Sequence, residues 1–174
     1  LKPAKLLKMA RSKAYLYSGV EIRWSCAEER IGEGDDTPSS AVFHFPGGLS
    51  DYLSDRLSGA ETLAAAPFSG KVSFAERFGP DTPGSVEWAI NWAPDRDGFV
   101  ESYCNTIPTT SGGTHETGFW AAVTKGIRAH GERVNAKKAA QITRDDAVSA
   151  GSALLSVFIR EPEFVGQTKE RLST

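Results

Sequence analysis

Between residues 86 and 133 the chain reads as strand, turn, strand, glycine pair, helix, and this run constrains the fold more than any other feature. Val86, Trp88, Ile90 and Trp92 alternate with other residues, the period of a strand with one face buried. Ala93-Pro94-Asp95-Arg96-Asp97-Gly98 is a dense turn signal. Val100, Ser102, Cys104 and Thr106 then alternate with Glu101, Tyr103, Asn105 and Ile107, which predicts a single strand through residue 107. Gly112-Gly113 leads into a predicted helix from about Glu116 to Arg133, with Phe119, Val123 and Ile127 on one face. A strand pair followed by a long amphipathic helix selects α+β with a largely antiparallel sheet.

The flanking segments extend this pattern. Residues 3–13 are predicted helical, with Pro3 in the first turn and Leu6, Met9 and Ala10 as an apolar stripe. Lys5, Lys8, Arg11 and Lys13 make this helix basic, either as a solvated face or as a docking or phosphate-facing surface. Val20–Trp24 alternates as a strand, residues 28–40 read as an acidic hairpin loop, and Val42–Phe45 is the partner strand. Pro46-Gly47-Gly48 ends it, and Leu49, Tyr52, Leu53 and Leu57 predict a short helix. Residues 58–66 are a connection, and Val72 and Phe74 mark a further strand. After a polar connection over 134–142, Thr143 reads as the cap of another helix and Leu154–Ile159 as a buried strand.

Composition removes several function classes. A net charge of −2 rules out a polycation, so any nucleic-acid contact must be a local basic patch. Two cysteines, Cys26 and Cys104, both in apparent strands, do not make a disulfide framework and read as buried free thiols. No run reaches the length of a transmembrane helix. The opening Leu1-Lys2-Pro3-Ala4 does not resemble a secretion signal; with no initial methionine and no stop signal after Thr174, both ends read as cuts from a longer chain. His44, His115 and His130 have no metal-ligand spacing with each other or with cysteine. No phosphate-binding G-x-x-x-x-G-K-[ST] loop, dinucleotide fingerprint or nucleophile elbow is present. A glycine pair at a helix start could bind an anion or simply make a tight turn.

Two segments carry a resemblance. Asn105 through Phe119, with Asn105, Ile107, Thr109 and Gly112-Gly113-Thr114-His115 followed by Gly118-Phe119, resembles a long signature of bacterial type II DNA topoisomerase ATPase subunits, the gyrase B and topoisomerase IV type. Glu163 to Leu172 resembles the Gln-Thr-Lys loop of the same family, here Gln167-Thr168-Lys169. Met9–Leu16, Gly19–Ile22 and Phe45–Leu49 extend the likeness over essentially the whole chain. The start and the tail look closer to topoisomerase IV than to gyrase.

The resemblance implies that residues 1–174 are a transducer domain, with a nucleotide-binding domain before it and DNA-gate domains after it in the full protein. It implies a ribosomal protein S5 domain 2-like fold, a sheet of about four main strands with helices on one side and a left-handed βαβ crossover. It implies that Lys169 contacts the γ-phosphate of ATP, with Gln167 helping to hold the phosphate end. The cofactors would be ATP and Mg²⁺, bound mainly outside this chain, so the isolated fragment is expected to be inactive. The partners implied are DNA, the A subunit of topoisomerase IV or gyrase, and a second copy in the nucleotide-bound dimer. No membrane is implied, and the location would be cytoplasmic and chromosome-associated. The nucleophilic tyrosine would lie on the partner subunit. One position departs from the family: where an arginine often faces the cavity for transported DNA, this chain has Trp120, either core or a stacking surface. Lys125, Arg128 and Arg133 on the same helix are then the candidates to face DNA, or else a solvated face. The rival readings are an S5-like nucleic-acid-binding module and the middle domain of a mismatch-repair or chaperone-type ATPase. Gln167-Thr168-Lys169 speaks against the first and Gly112-Gly113-Thr114-His115 against the second.

Overall fold

The computed structural model describes residues 2–174. The chain opens with helix α1 (Pro3–Leu16), and β1 (Glu21–Ser25) and β2 (Ser40–His44) follow as a separate antiparallel hairpin. Helix α2 (Leu49–Arg56) leads to β3 (Phe68–Ser73), the short helix α3 (Phe74–Phe78) and β4 (Gly84–Trp92). Then come β5 (Val100–Cys104), β6 (Ile107–Pro108), the long helix α4 (Thr114–Arg133), α5 (Arg144–Ser149) and β7 (Gly151–Ile159).

The main sheet has five strands in the order β3-β4-β7-β5-β6. Its centre is the antiparallel pair β4 and β7, in register from Gly84 opposite Ile159 to Trp92 opposite Gly151. β5 lies parallel to β7, with Val100 opposite Ala153 and Cys104 opposite Val157. Because neighbouring parallel strands need a long crossover, α4 and α5 lie in the connection between them. The α+β class is as expected, and so is a largely antiparallel sheet with four longer strands; β6 adds a short fifth strand.

The helices occupy both faces, where one side was expected. Trp120, Val123, Ile127 and Ala147 of α4 and α5 pack on Trp88, Ile90, Trp92, Val100 and Ala153. On the other face, Tyr15, Leu16, Leu49, Tyr52 and Leu53 of α1 and α2 pack on Ala89, Tyr103 and Leu154. The physical reason lies in the strands: Ala89 and Ile90, like Ala153 and Leu154, point to opposite faces and all are buried. A strand buried without alternation, as β7 is from Gly151 to Val157, must be covered twice. The α1–α2 layer is tied down by Tyr15, whose ring stacks on Tyr52 at 3.9 Å and whose hydroxyl meets that of Tyr103 at 2.6 Å.

Several boundaries differ from expectation. The predicted strand through residue 107 breaks at Asn105 and Thr106, which have φ of 48° and 66°. Two consecutive positive φ values are the backbone of a tight I′-type turn, so Ile107 folds back opposite Cys104 as β6. Asn105 holds this turn by donating its side-chain amide to the Ile159 carbonyl at 2.8 Å and accepting from the Ile159 amide at 3.0 Å. Phe74 starts α3 instead of ending a strand, and Cys26 lies just past β1. The helix expected at Glu116 begins at Thr114, and the 134–142 connection contains a 3-10 turn over Lys137–Gln141. Thr143 caps α5 as expected: its hydroxyl accepts from the Asp146 amide, while the Asp146 carboxylate accepts from the Thr143 amide. The hydrogen bonds from Thr143 hold the Asp146 carboxyl below its ordinary range.

Candidate functional site

Beyond β7 the chain folds on itself as a narrow loop. The Val165 amide donates to the Arg171 carbonyl at 2.9 Å, and the Ser173 amide to the Glu163 carbonyl at 2.9 Å. Phe164 and Leu172 pair between these two bonds. The turn is made by Gly166 and Lys169, with φ of 75° and 58°. Gln167, Thr168 and Lys169 stand exposed at its tip. No ion pair takes up the Lys169 ammonium among the described residues.

The base of the hairpin is fixed to the glycine-rich junction ahead of α4. The Ser111 amide donates to the Glu170 carbonyl at 2.8 Å, the Leu172 amide to the Gly112 carbonyl at 3.0 Å, and the Thr114 amide to the Leu172 carbonyl at 3.2 Å. Leu172 is buried beneath with Cys104, Val157 and Phe164. Desolvation raises the Cys104 thiol above its usual range, consistent with an inert packed thiol. Gly113 explains its own identity: φ is 148°, and a β-carbon there would meet the Leu172 backbone. Gly112-Gly113-Thr114-His115 and Gln167-Thr168-Lys169, some fifty residues apart in sequence, thus form one structural unit.

Beneath this unit lies a polar cluster that sequence reading did not single out. The Ser102 hydroxyl donates to the Glu116 carboxylate at 2.5 Å and also meets the Thr109 hydroxyl. Thr109 in turn meets His115 Nε2 at 3.0 Å. Burial pushes the His115 imidazole down to about 4, so the ring is neutral near pH 7. Its Nδ1 is buried with no hydrogen-bond partner. Nothing in the spacing marks Ser102 and Thr109 as neighbours of the His115-Glu116 pair; the β5–β6 fold-back brings Thr109 alongside Ser102.

The basic candidates divide. Lys125, Arg128 and Arg133 are all exposed on α4. At roughly 100° per residue, Lys125 and Arg128 share a face and Arg133 lies about 140° around the helix from Arg128. Arg128 also donates to the Ile142 carbonyl at 2.7 Å, so it helps to hold the following connection. On α1, Lys5 and Lys8 are exposed, whereas Arg11 pairs with Asp55 at 2.7 Å and Lys13 donates to the Thr106 carbonyl and hydroxyl. Trp120 is 2 % exposed, which decides for core packing over a stacking surface. Among the described residues no group of His, Cys, Asp and Glu could hold a metal, both cysteines are free, and no helix is long and apolar enough to cross a membrane.

Comparison with known proteins places this arrangement. Residues 48–174 match the family model for DNA gyrase B. The chain is 52% identical over 173 residues to the B subunit of DNA topoisomerase 4 from Caulobacter vibrioides, covering 99% of this chain and 24% of that protein.

The chain belongs to the DNA gyrase B family.

A second member, the B subunit of DNA topoisomerase 4 from Bartonella bacilliformis, is 47% identical over 172 residues, again 99% of this chain and 24% of that protein. The chain therefore spans about a quarter of the length of these curated relatives. The ATP binding domain of Francisella tularensis topoisomerase IV, solved with a small-molecule inhibitor, superposes with a TM-score of 0.73 at 27% identity, over 100% of this chain and 43% of that one. The DNA gyrase B-subunit of Myxococcus xanthus shares the fold, with a TM-score of 0.74 at 19% identity, over 99% of this chain and 44% of that one. The gyrase B family match begins at Gly48, just before α2, while the topoisomerase 4 relatives also cover α1 and the β1–β2 hairpin.

Proposed function

We propose that this chain is the transducer domain from the B subunit of a type II DNA topoisomerase of the topoisomerase IV kind, coupling ATP binding and hydrolysis to DNA strand passage. The observation that carries the reading is the 163–174 hairpin: its base is hydrogen-bonded to the junction before α4, and its tip presents Gln167 and Lys169 to the outside. An ammonium on a long stem and a neutral amide are suited to the phosphate end of a nucleotide. They offer nothing for a base or sugar; the remainder of an ATP·Mg²⁺ site would lie in a preceding domain, as the family resemblance implies. ATP would supply the phosphoryl bond whose cleavage drives the cycle. This chain's part is to place the Lys169 charge at the γ-phosphate and to lose that partner after hydrolysis.

The names and lengths of the relatives support this division of labour. In the full protein the partners would be duplex DNA, the A subunit of the topoisomerase, and a second copy of this same protein, in the cytoplasm on the chromosome. Lys125 and Arg128, on one exposed face of α4, are the residues best placed to meet transported DNA. The test compares ATP turnover by residues 1–174 with turnover by the same chain extended upstream through the nucleotide domain. The isolated chain is expected to give none and the extended chain to turn over. Turnover by the isolated chain would contradict the proposal.

A further inference from the structure

We propose that the Ser102–Glu116 hydrogen bond is a latch that sets the position of the 163–174 hairpin, which makes Glu116 a positioning residue for Lys169. The inference rests on the reading that Lys169 meets the γ-phosphate.

Glu116 is the third residue of α4, where a carboxylate is favoured by the free amides and dipole of the helix start. Instead of pointing to solvent it accepts the Ser102 hydroxyl at 2.5 Å. Ser102 is the central residue of β5 and is 5 % exposed. The Thr109 amide donates to the Ser102 carbonyl at 2.9 Å, and the Thr109 hydroxyl links Ser102 to His115. The first turn of α4, the segment after β6 and the middle of β5 are thus joined by one polar cluster.

The other side of the Glu116 carboxylate faces Gly112. A β-carbon on Gly112 would lie 2.7 Å from the nearer carboxylate oxygen, so the carboxylate packs against that stretch of backbone. The same stretch receives the hairpin, through Ser111 to Glu170 and Leu172 to Gly112. The path from sheet to tip is therefore short: Ser102, Glu116, Gly112, Leu172, Lys169. The latch touches none of the tip residues, so its loss moves the hairpin without removing a phosphate-binding group. Cooperative polar networks of this kind respond to removal of either end.

Trypsin supplies the readout, because the hairpin contains cleavage sites at Lys169 and Arg171. The Arg171–Leu172 peptide is hydrogen-bonded on both sides, to Val165 and to Gly112, so cleavage after Arg171 reports undocking. Cleavage after Lys71, within β3 at the edge of the sheet, reports release of that strand from β4, away from the hairpin. In the chain as it stands, Glu116→Ala and Ser102→Ala are each expected to speed cleavage after Arg171 about tenfold relative to Lys71. The double variant should be no faster than the faster single one, as expected for one shared interaction. Glu116→Gln, which keeps an acceptor oxygen, should recover most of the protection. Unchanged cleavage, additive effects, or an equal increase at Lys71 would each overturn the latch.

In the chain carrying the nucleotide domain, Glu116→Ala should lower kcat at least fivefold with KM within twofold, and Glu116→Gln should restore it. The two proposals fail separately. If Lys169→Ala leaves turnover unchanged while Glu116→Ala exposes Arg171, the latch stands and the nucleotide contact falls. If Lys169→Ala abolishes turnover while Glu116→Ala changes neither cleavage nor kcat, the contact stands and the latch falls.

Discussion

Gly113 and Leu172 run backbone against backbone: a β-carbon on Gly113 would lie 2.3 Å from the Leu172 carbonyl oxygen and 2.8 Å from its amide nitrogen. No side chain can be added there without pushing the hairpin off α4. Gly113→Ala should destabilise the fold by about 2 kcal/mol or more, from backbone strain and lost docking bonds together. Gly126, mid-α4 with open space around it, gives the opposite sign: Gly126→Ala should stabilise by about 0.5–1 kcal/mol. Urea unfolding of the two variants checks both. Equal effects would contradict the docking geometry.

Trp120 fills the space between α4 and the sheet and lies directly on Gly151, where a β-carbon would meet its ring at 2.7 Å. Trp120→Ala should cost about 3–5 kcal/mol, the range for emptying a buried aromatic site. A loss under about 1 kcal/mol in denaturant unfolding would return Trp120 to the surface.

These positions show what could be read from the sequence. The alternation of Val86, Trp88, Ile90 and Trp92 is reproduced as one face of β4, because side-chain period is a local property. The same rule failed at Asn105 and Thr106: apolar spacing continued through Ile107 while the backbone reversed, and a turn without glycine left no obvious mark. Helices on one side were what the resemblance implied; burial of Ala89 and Tyr103 on the other face depends on α1 and α2 arriving from far upstream, which no local period records. The motif at 105–119 and the Gln-Thr-Lys tip were legible one by one. Their contact was not, since it is made of backbone hydrogen bonds between Ser111–Thr114 and Glu170–Leu172 that any residues could form.

His115 gives a pH signature. Its imidazole is pushed from 6.5 down to about 4 by burial, so the folded state resists the proton that the unfolded chain accepts. Stability contributed by the neutral ring is fully present above about pH 6.5, falls as the unfolded chain protonates, and stops falling below about pH 4. His115→Gln should flatten the dependence of Tm on pH between those values. Asp146, also depressed, works in the same direction but at lower pH, so it does not mask the difference. Parallel Tm curves for the two proteins would show that His115 is not buried as described.

The capping box on α5 is local and separable from the hairpin. Thr143→Ala removes the acceptor for the Asp146 amide and should cost about 1 kcal/mol. Because α5 packs through Ala147 and Val148 against the α4 face of the sheet, the loss should appear in overall unfolding. It should not change cleavage after Arg171 relative to Lys71.

The most direct test of the account is Lys169→Ala in the chain extended upstream through the nucleotide domain, read as ATP turnover. Lys169 is exposed and takes part in no ion pair among the described residues, so the fold should be unaffected and Tm unchanged. If Lys169 meets the γ-phosphate, turnover should fall by two decades or more, about 3 kcal/mol of lost transition-state stabilisation. Turnover equal to that of the parent chain would mean that the Gln167–Lys169 tip does not reach the nucleotide, and the coupling role proposed for this hairpin would be wrong.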